Sequence, residues 1–383
     1  MLNRAAEPSN HRRGCRLTRY AHITGWGKYI PSTVLTNDDL ATIVDTNDAW
    51  IVEHTGIRER HVAIVGETVV SMSAEAARRA LERAGIGPGD LDLIILSTSS
   101  PDRQLPGGAS ILQAALGADQ AAAFDLRSGC SGFVYALAVA RQFLVCSTYQ
   151  RILVVGAEVV TRNVNWADRR TCVLFGDGAG AAVVEARETP GGVLFTGLGT
   201  QGKDYAALTV QAGGSEYPVC PLTLERHWST IELDGQATAR FAIRTLLRHS
   251  GEAVQQAGLT WDDIELFIPH QANLRLIESV AGKLNLPMER IFVNVDRYAN
   301  MSTASIPVAL AEAAEQGRIK PGDHVLLTAF GAGLSWATAV IQWGAEAQPT
   351  RSGLARWWAR LRQRLSTWLL GVRLAAFERL GRH

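Results

Sequence analysis

The sequence predicts a duplicated α/β protein in which two mixed sheets alternate with layers of helices. Three observations carry that expectation. The segment Arg83-Ala84-Gly85-Ile86-Gly87-Pro88-Gly89-Asp90-Leu91-Asp92-Leu93-Ile94-Ile95 aligns without gaps on Gln256-Ala257-Gly258-Leu259-Thr260-Trp261-Asp262-Asp263-Ile264-Glu265-Leu266-Phe267-Ile268, each reading helix, glycine stop, acidic turn and buried strand. A second echo pairs Phe175-Gly176-Asp177-Gly178, followed by Ala181-Ala182-Val183-Val184, with Phe330-Gly331-Ala332-Gly333, followed by Ala337-Thr338-Ala339-Val340. Short apolar runs, among them 151–155 and 324–328, alternate with stretches of helical spacing. A repeat of this kind decides the fold before any single element does.

In chain order, residues 1–19 form a basic arm: Arg4, Arg12, Arg13, Arg16 and Arg19 stand against one acid, Glu7, without the apolar core of a secretory signal. The first copy is expected over 20–189 and the second over 190–344, divided at the Pro190-Gly191-Gly192 turn. An offset of 170 residues places Cys130 opposite Asn300, so corresponding turns of the two copies are expected to face one central site.

At 383 residues the chain exceeds one ordinary domain and can bury a large core. Its formal charge of +1 lacks the basic excess of a nucleic-acid binder, which removes that class of partner. Cys15, Cys130, Cys146, Cys172 and Cys220 are odd in number and without CxxC spacing, arguing against a disulfide framework or a zinc site and fitting a reducing cytoplasm. No run of about 18 apolar residues is expected to span a membrane.

Cys130 is the most informative residue. In Phe124-Asp125-Leu126-Arg127-Ser128-Gly129-Cys130-Ser131-Gly132-Phe133-Val134 it joins a strand end to a helix start, where unpaired N–H groups and the helix dipole favour a thiolate. Alone, it also fits a small buried hydrophobe. Ile268-Pro269-His270-Gln271-Ala272-Asn273 sets a histidine directly after the second copy's strand. Tyr298-Ala299-Asn300-Met301-Ser302-Thr303-Ala304-Ser305-Ile306-Pro307 sets an amide at a turn before a helix, where asparagine otherwise serves as a cap. A cysteine thiolate can attack an acyl thioester, store the acyl group and release the thiol carrier. A carbon nucleophile for the second step comes most readily from decarboxylating a malonyl thioester, and His270 and Asn300 can donate hydrogen bonds to its enolate oxygen.

Together these residues resemble the β-ketoacyl-acyl-carrier-protein synthase III family of the thiolase-like superfamily, over roughly residues 23–343. Trp50-Ile51-Val52, Thr55-Gly56-Ile57-Arg58-Glu59-Arg60, Val155-Gly156-Ala157-Glu158 and Leu174-Phe175-Gly176-Asp177-Gly178-Ala179-Gly180-Ala181 add to the resemblance. It implies a duplicated thiolase-like fold and an acyltransferase of fatty acid biosynthesis, condensing an acyl-CoA primer with malonyl-acyl-carrier protein through an acyl-cysteine. Cys130 would be the nucleophile, His270 and Asn300 the enolate-stabilising pair, and the backbone N–H groups of Cys130 and Gly333 the oxyanion hole. Trp50 and Arg169 would sandwich the coenzyme A adenine. Arg240, Arg275 and Lys283 would face the acidic carrier protein. Leu105 would bound the neighbouring subunit's primer pocket in a homodimer, with room for a primer longer than acetyl. Coenzyme A enters as a thioester substrate, and neither cofactor nor metal is required.

Departures from the family pattern surround the triad. His54 replaces another basic residue near coenzyme A, Arg127-Ser128-Gly129 replaces small apolar residues, and Ala299 and Met301 replace a glycine and a threonine. They fit a specialised synthase joining other acyl thioesters in lipid or secondary-metabolite assembly. A non-condensing partner subunit is a further alternative, opposed by the intact triad.

The family does not explain residues 345–383. From 351 onward there are eight arginines and one acid, Glu378, a formal charge of +7. Leu354, Trp357, Trp358, Leu361, Leu365 and Trp368 recur at helical spacing beside a row of Arg356, Arg360 and Arg364. This reads as a basic amphipathic helix, suited to an anionic membrane surface, to an acidic protein or to its own core.

Overall fold

Alternate side chains along each strand enter different cores, and this alternation builds the layers. The computed structural model describes residues 19–146 and 149–344, so most of the N-terminal arm and the amphipathic tail lie outside the described residues. The described residues belong to one compact unit. In chain order its principal elements are β1 (Tyr20–Tyr29), α1 (Asp48–Thr55), α2 (Val69–Ala84), β2 (Leu93–Ser97), α3 (Gly108–Leu116), β3 (Ala122–Leu126), α4 (Gly132–Cys146), β4 (Arg151–Glu158), β5 (Gly178–Arg187) and β6 (Gly192–Thr200). There follow α5 (Gly235–Gln256), β7 (Leu266–Pro269), α6 (Leu274–Leu284), α7 (Ser305–Glu315), β8 (His324–Gly331) and β9 (Ser335–Gln342).

One sheet runs β1-β5-β4-β2-β3 and the other β6-β9-β8-β7. Both begin with two antiparallel pairings and continue in parallel. Among the described residues the second sheet has no strand equivalent to β3. In its place a parallel bridge joins Phe267 to Ile291. The gapless echo holds element by element: the helices end at Ala84 and Gln256, 3-10 turns follow at Pro88–Asp90 and Trp261–Asp263, and strands begin at Leu93 and Leu266. The second echo holds only for the strands it leads into. Phe330 lies within β8, whereas Phe175 follows the short helix Arg169–Cys172.

Ile152 and Val154 of β4 face a central core shared with Leu327 and Ala329 of β8, while Leu153 and Val155 face outward. Between the sheets lie α4, through Phe133, Ala136, Leu137 and Ala140, and α7, through Ile306, Ala309 and Leu310. The outer face of the first sheet is covered by α2 and α3, and that of the second by α5 and α6. Glycines set the closest approach. A Cβ at Gly25 would sit 2.0 Å from the Ala80 carbonyl oxygen and one at Gly27 2.2 Å from that of Ala76, so α2 rests directly on the β1 backbone.

Two sequence expectations change here. By length and composition the stretch Gly129–Cys146 is apolar enough to cross a membrane, contrary to the expectation that no such run exists. It contains α4, the central helix, and its hydrophobicity is that of a segment packed between two sheets. The turns of the two copies also correspond at 173 residues rather than 170, since the 3-10 turns that precede α4 and α7 start at Gly129 and Ser302. Cys130 therefore stands opposite Thr303, and Asn300 lies three residues earlier.

Candidate active site

Parallel strands of both sheets deliver their C-terminal ends to one region, where αβ folds form their crevices. β3 leads to Cys130, β4 ends at Glu158, β7 leads to His270 and β8 leads to Gly331 and Gly333. Cys130 occupies the 3-10 turn Gly129–Ser131 immediately before α4. A Cβ on Gly331 would fall 2.5 Å from Cys130 N, and one on Gly129 would fall 2.7 Å from Ala332 N. Glycine at both positions lets the end of β8 lie against the cysteine turn. Hydroxyls tie the same contact, with Ser131 Oγ 2.8 Å from Ser335 Oγ and donating to the Ser128 carbonyl at 2.7 Å.

Asn300 is pinned by its backbone. Its N–H donates to the Leu174 carbonyl at 2.9 Å, and its carbonyl accepts from Gly176 N–H at 3.1 Å. Arg60, fully buried in the Thr55-Gly56-Ile57-Arg58-Glu59-Arg60 motif, holds the receiving segment by donating to the Val173 carbonyl. Ala299 is forced to φ +55° and ψ −162°, a region ordinarily left to glycine at a strain of about 1–3 kcal/mol. The bonds on either side of it fix that conformation. Asn300 Oδ1 accepts from Ser302 N–H at 2.8 Å, which turns the amide's donor end away from the backbone.

His270 donates its backbone N–H to the Thr328 carbonyl and sets its ring edge-on to Phe330, with centroids 5.2 Å apart. Both ring nitrogens are buried without a hydrogen-bond partner among the described residues. Burial pulls the imidazole down to about 3, so it is neutral at physiological pH, with one nitrogen able to donate and the other to accept. The helix start does not yield the resting thiolate that the sequence suggests. Burial pushes the Cys130 thiol up to about 12, a hydrogen bond with Ser302 works the other way, and the negative charge of Glu158 raises it further. Desolvation is the larger cause and the like charge adds to it.

Glu158 and Ser302 are the functional candidates that sequence reasoning missed. Glu158 is fully buried at the end of β4 and accepts from Ser99 N, Ser100 N, Ser100 Oγ, Thr98 Oγ1 and Ser302 Oγ. A carboxylate closing the apolar run Ile152 to Ala157 was a legible signal. Nothing in the local sequence distinguished Ser302 from its neighbouring hydroxyls.

The remaining candidates are placed unevenly. Trp50 and Arg169 do meet, but the guanidinium lies directly over the indole at 5.0 Å from its centroid, and His54 also stacks on that ring at 4.5 Å. The guanidinium covers the aromatic face itself while donating to the Asp45 carbonyl at 3.1 Å, so the two side chains are stacked on each other rather than set apart as a slot. Arg240 and Lys283 line one surface hollow together with Arg244 and Arg248. Arg275 is not part of it: its guanidinium donates to the Val52 and Glu53 carbonyls at the end of α1 and pairs with Glu278. Leu105 is 86% exposed on the surface of this chain. Gly333 adopts φ +140° in the turn between β8 and β9, beside Ser335.

Two family models match the chain: 3-oxoacyl-[acyl-carrier-protein (ACP)] synthase III over residues 124–202 and its C-terminal counterpart over 254–343. A beta-ketoacyl-[acyl-carrier-protein] synthase III of Roseiflexus sp. (strain RS-1) is 49% identical over 329 residues, covering 86% of this chain and all of that protein. The crystal structure of 3-oxoacyl-[acyl-carrier-protein] synthase III from Aquifex aeolicus VF5 superposes with a TM-score of 0.78 at 42% identity, covering 84% of this chain and all of the other. The priming beta-ketosynthase of the R1128 polyketide biosynthetic pathway superposes with a TM-score of 0.79 at 34% identity, covering 85% and 97%. With its layered thiolase-like fold, a cysteine and a histidine at strand ends and this similarity over most of its length, this chain belongs to the beta-ketoacyl-[acyl-carrier-protein] synthase III family.

Proposed function

We propose that the protein condenses an acyl-CoA primer with malonyl-acyl-carrier protein, releasing CO2 and coenzyme A and forming β-ketoacyl-acyl-carrier protein. The observation that carries this reading is a buried thiol at a strand-to-helix junction, served by a neutral histidine with two unpartnered ring nitrogens. Cys130 attacks the primer thioester, and the acyl group remains on its sulfur as coenzyme A departs. Backbone N–H groups of Cys130 and Gly333 receive the oxyanion, where one donor is worth on the order of 3 kcal/mol. His270 and Asn300 Nδ2 then hold the enolate oxygen as the malonyl group loses CO2, and the enolate carbon attacks the acyl-cysteine. A neutral His270 retains one ring N–H that can donate to the enolate oxygen.

Intact-protein mass spectrometry after incubation with acyl-CoAs of graded length tests the reading. The expected result is an adduct that Cys130→Ala abolishes and that malonyl-acyl-carrier protein discharges into a β-ketoacyl product. No adduct from any CoA or carrier-bound acyl donor would remove Cys130 as the nucleophile. The same panel separates the alternative, a specialised synthase using other acyl thioesters, which is favoured by the altered surroundings of Cys130 and Asn300 and by the likeness to the priming ketosynthase.

A basic hollow formed by Arg240, Arg244, Arg248 and Lys283 around Ile243 and Leu247 is suited to the acidic carrier protein. Arg244→Glu with Arg248→Glu is expected to raise KM for malonyl-carrier about tenfold or more while Cys130 loading from acyl-CoA stays within about twofold. An unchanged KM would place the carrier elsewhere.

The duplicated halves, 20–189 and 190–344, form one protomer of a homodimer in this reading. β3 is the edge strand of its sheet, with Phe124 37% exposed on it, and Leu105 projects from the same half. Light scattering should return twice the chain mass, and Phe124→Asp should shift it towards the monomer. A monomeric parent protein would defeat this assignment.

The basic tail at 351–383 would add reversible contact between a cytoplasmic enzyme and an anionic membrane surface. Truncation after Gly344 should abolish co-sedimentation with phosphatidylserine vesicles and spare turnover in solution. Equal sedimentation of the parent and truncated proteins would exclude the tail as an anchor.

A further inference from the structure

Asn300 lies between two strained residues. Among the described residues four non-glycine residues have positive φ, and two of them, Ala299 at +55° and Ser302 at +49°, flank the asparagine. The left-handed region brings Cβ against the neighbouring carbonyl, so each such position needs bonds that hold it there. Ala299 is held by backbone bonds, its own N–H to the Val295 carbonyl and that of Asn300 to Leu174. Ser302 is held by its side chain, whose hydroxyl donates to Glu158 Oε1 at 3.0 Å.

That anchor is itself fixed. Glu158 is fully buried, and its oxygens also accept from Ser99 N, Ser100 N, Ser100 Oγ and Thr98 Oγ1. Ser100 Oγ in turn accepts from the Val159 N–H at 2.9 Å, tying the carboxylate's donors back to its own strand end. Two residues earlier, a Cβ on Gly156 would fall 2.6 Å from the Thr303 carbonyl oxygen. Glycine at that position lets β4 lie against the Ser302–Ala304 turn, which brings the carboxylate within reach of the hydroxyl.

The chain beyond Ser302 is fixed as well, since the Ser302 carbonyl accepts from Ser305 N–H at the start of α7. With that side immobile, φ at Ser302 sets where its own N–H points. It points at Asn300 Oδ1, 2.8 Å away. An N–H is accepted only by the oxygen of an amide, so this bond decides which end of the Asn300 side chain is left to donate. An amide turned over would present its oxygen to the enolate oxygen and repel it.

We propose that Glu158 and Ser302 are positioning residues for the carbon–carbon bond-forming half of the reaction, a role that rests on Asn300 as the enolate donor in the proposed function. The buried carboxylate holds Ser302 in its left-handed conformation, and the Ser302 N–H holds the Asn300 amide with Nδ2 towards the enolate. Both residues act through Asn300. Malonyl decarboxylation and condensation therefore depend on the pair, and Cys130 acylation does not. A hydroxyl that only stabilised the fold would instead affect both halves alike, and glycine would replace it less well than alanine, because glycine adds freedom to the unfolded chain.

Cys130 loading is measured by rapid-quench mass spectrometry with the acyl-CoA the parent protein accepts best, and release of labelled CO2 from malonyl-acyl-carrier protein is measured on the loaded protein. Asn300→Ala should lower CO2 release about 100-fold or more while loading stays within about threefold. Ser302→Ala should lower the kcat of CO2 release about tenfold, with KM for malonyl-carrier within about twofold and loading within about threefold. Ser302→Gly should recover part of that loss, because glycine takes φ +49° freely. Added to Asn300→Ala, Ser302→Ala should cost no more than about a further twofold, since both changes remove one interaction. Glu158→Gln should match Ser302→Ala in CO2 release, because one amide oxygen cannot serve the donors that a carboxylate holds, and should load no more slowly than the parent. If Glu158→Gln fails to fold, as judged by its thermal unfolding, the Ser302 variants decide the question alone. Parent-like CO2 release in Ser302→Ala, equal losses in both half-reactions, glycine no better than alanine, or a full further loss in the Asn300→Ala background would each overturn the positioning role. Asn300→Ala releasing CO2 at the parent's rate would remove the enolate donor itself, a different failure.

Discussion

The centre of this molecule is organised around one carboxylate that water does not reach. Glu158 ends β4, and its oxygens collect donors from the segment after β2 and from the turn before α7. A buried charge is tolerated only when its hydrogen bonds are made, so these segments are held in register by the need to satisfy it. Through Ser302 that constraint reaches Asn300. The amide's orientation follows from that requirement, and the Glu158 charge adds to the burial that keeps the nucleophile a neutral thiol.

The dryness that makes Glu158 decisive comes from the layers. Two apolar helices, α4 and α7, lie between the sheets, and both begin at the strand ends. Their first turns bring Cys130 and Ser302 together. Glycine at 129 and 331 lets the β8 end close over the cysteine turn, leaving Cys130 8% exposed and His270 1% exposed. Low local polarity strengthens every hydrogen bond aimed at a developing charge and holds both the thiol and the imidazole neutral at rest. A substrate entering this site therefore meets uncharged groups and one charge already compensated by its donors.

Elsewhere the basic residues divide between structure and surface. Arg60 and Arg275 spend their guanidinium groups on backbone carbonyls, the former inside the core and the latter at the end of α1. Arg169 covers Trp50. Arg240, Arg244, Arg248 and Lys283 gather around one hollow. Residue type alone did not separate these fates, because a guanidinium makes the same five donors available to a carbonyl, a ring or a partner's carboxylate.

The sequence by itself determined the repeat and the fold class and singled out Cys130 and His270 at strand ends, because local signals suffice for them, whereas the placement of Asn300 depends on bonds to the distant segment Leu174 to Gly176. Helix stops at Gly85 and Gly258, apolar strands and a cysteine before a helix are written in neighbouring residues. It also contained Glu158 at the end of an apolar strand, a visible anomaly whose partners were not visible. Only the tertiary structure decided the protonation of Cys130, since the burial and the Glu158 charge that set it arise from segments far apart in sequence. The same holds for the 173-residue correspondence of the two turns, the closed Trp50–Arg169 pair and the structural use of Arg275. Each depends on which groups share a low-dielectric space, and that is fixed by packing between distant segments.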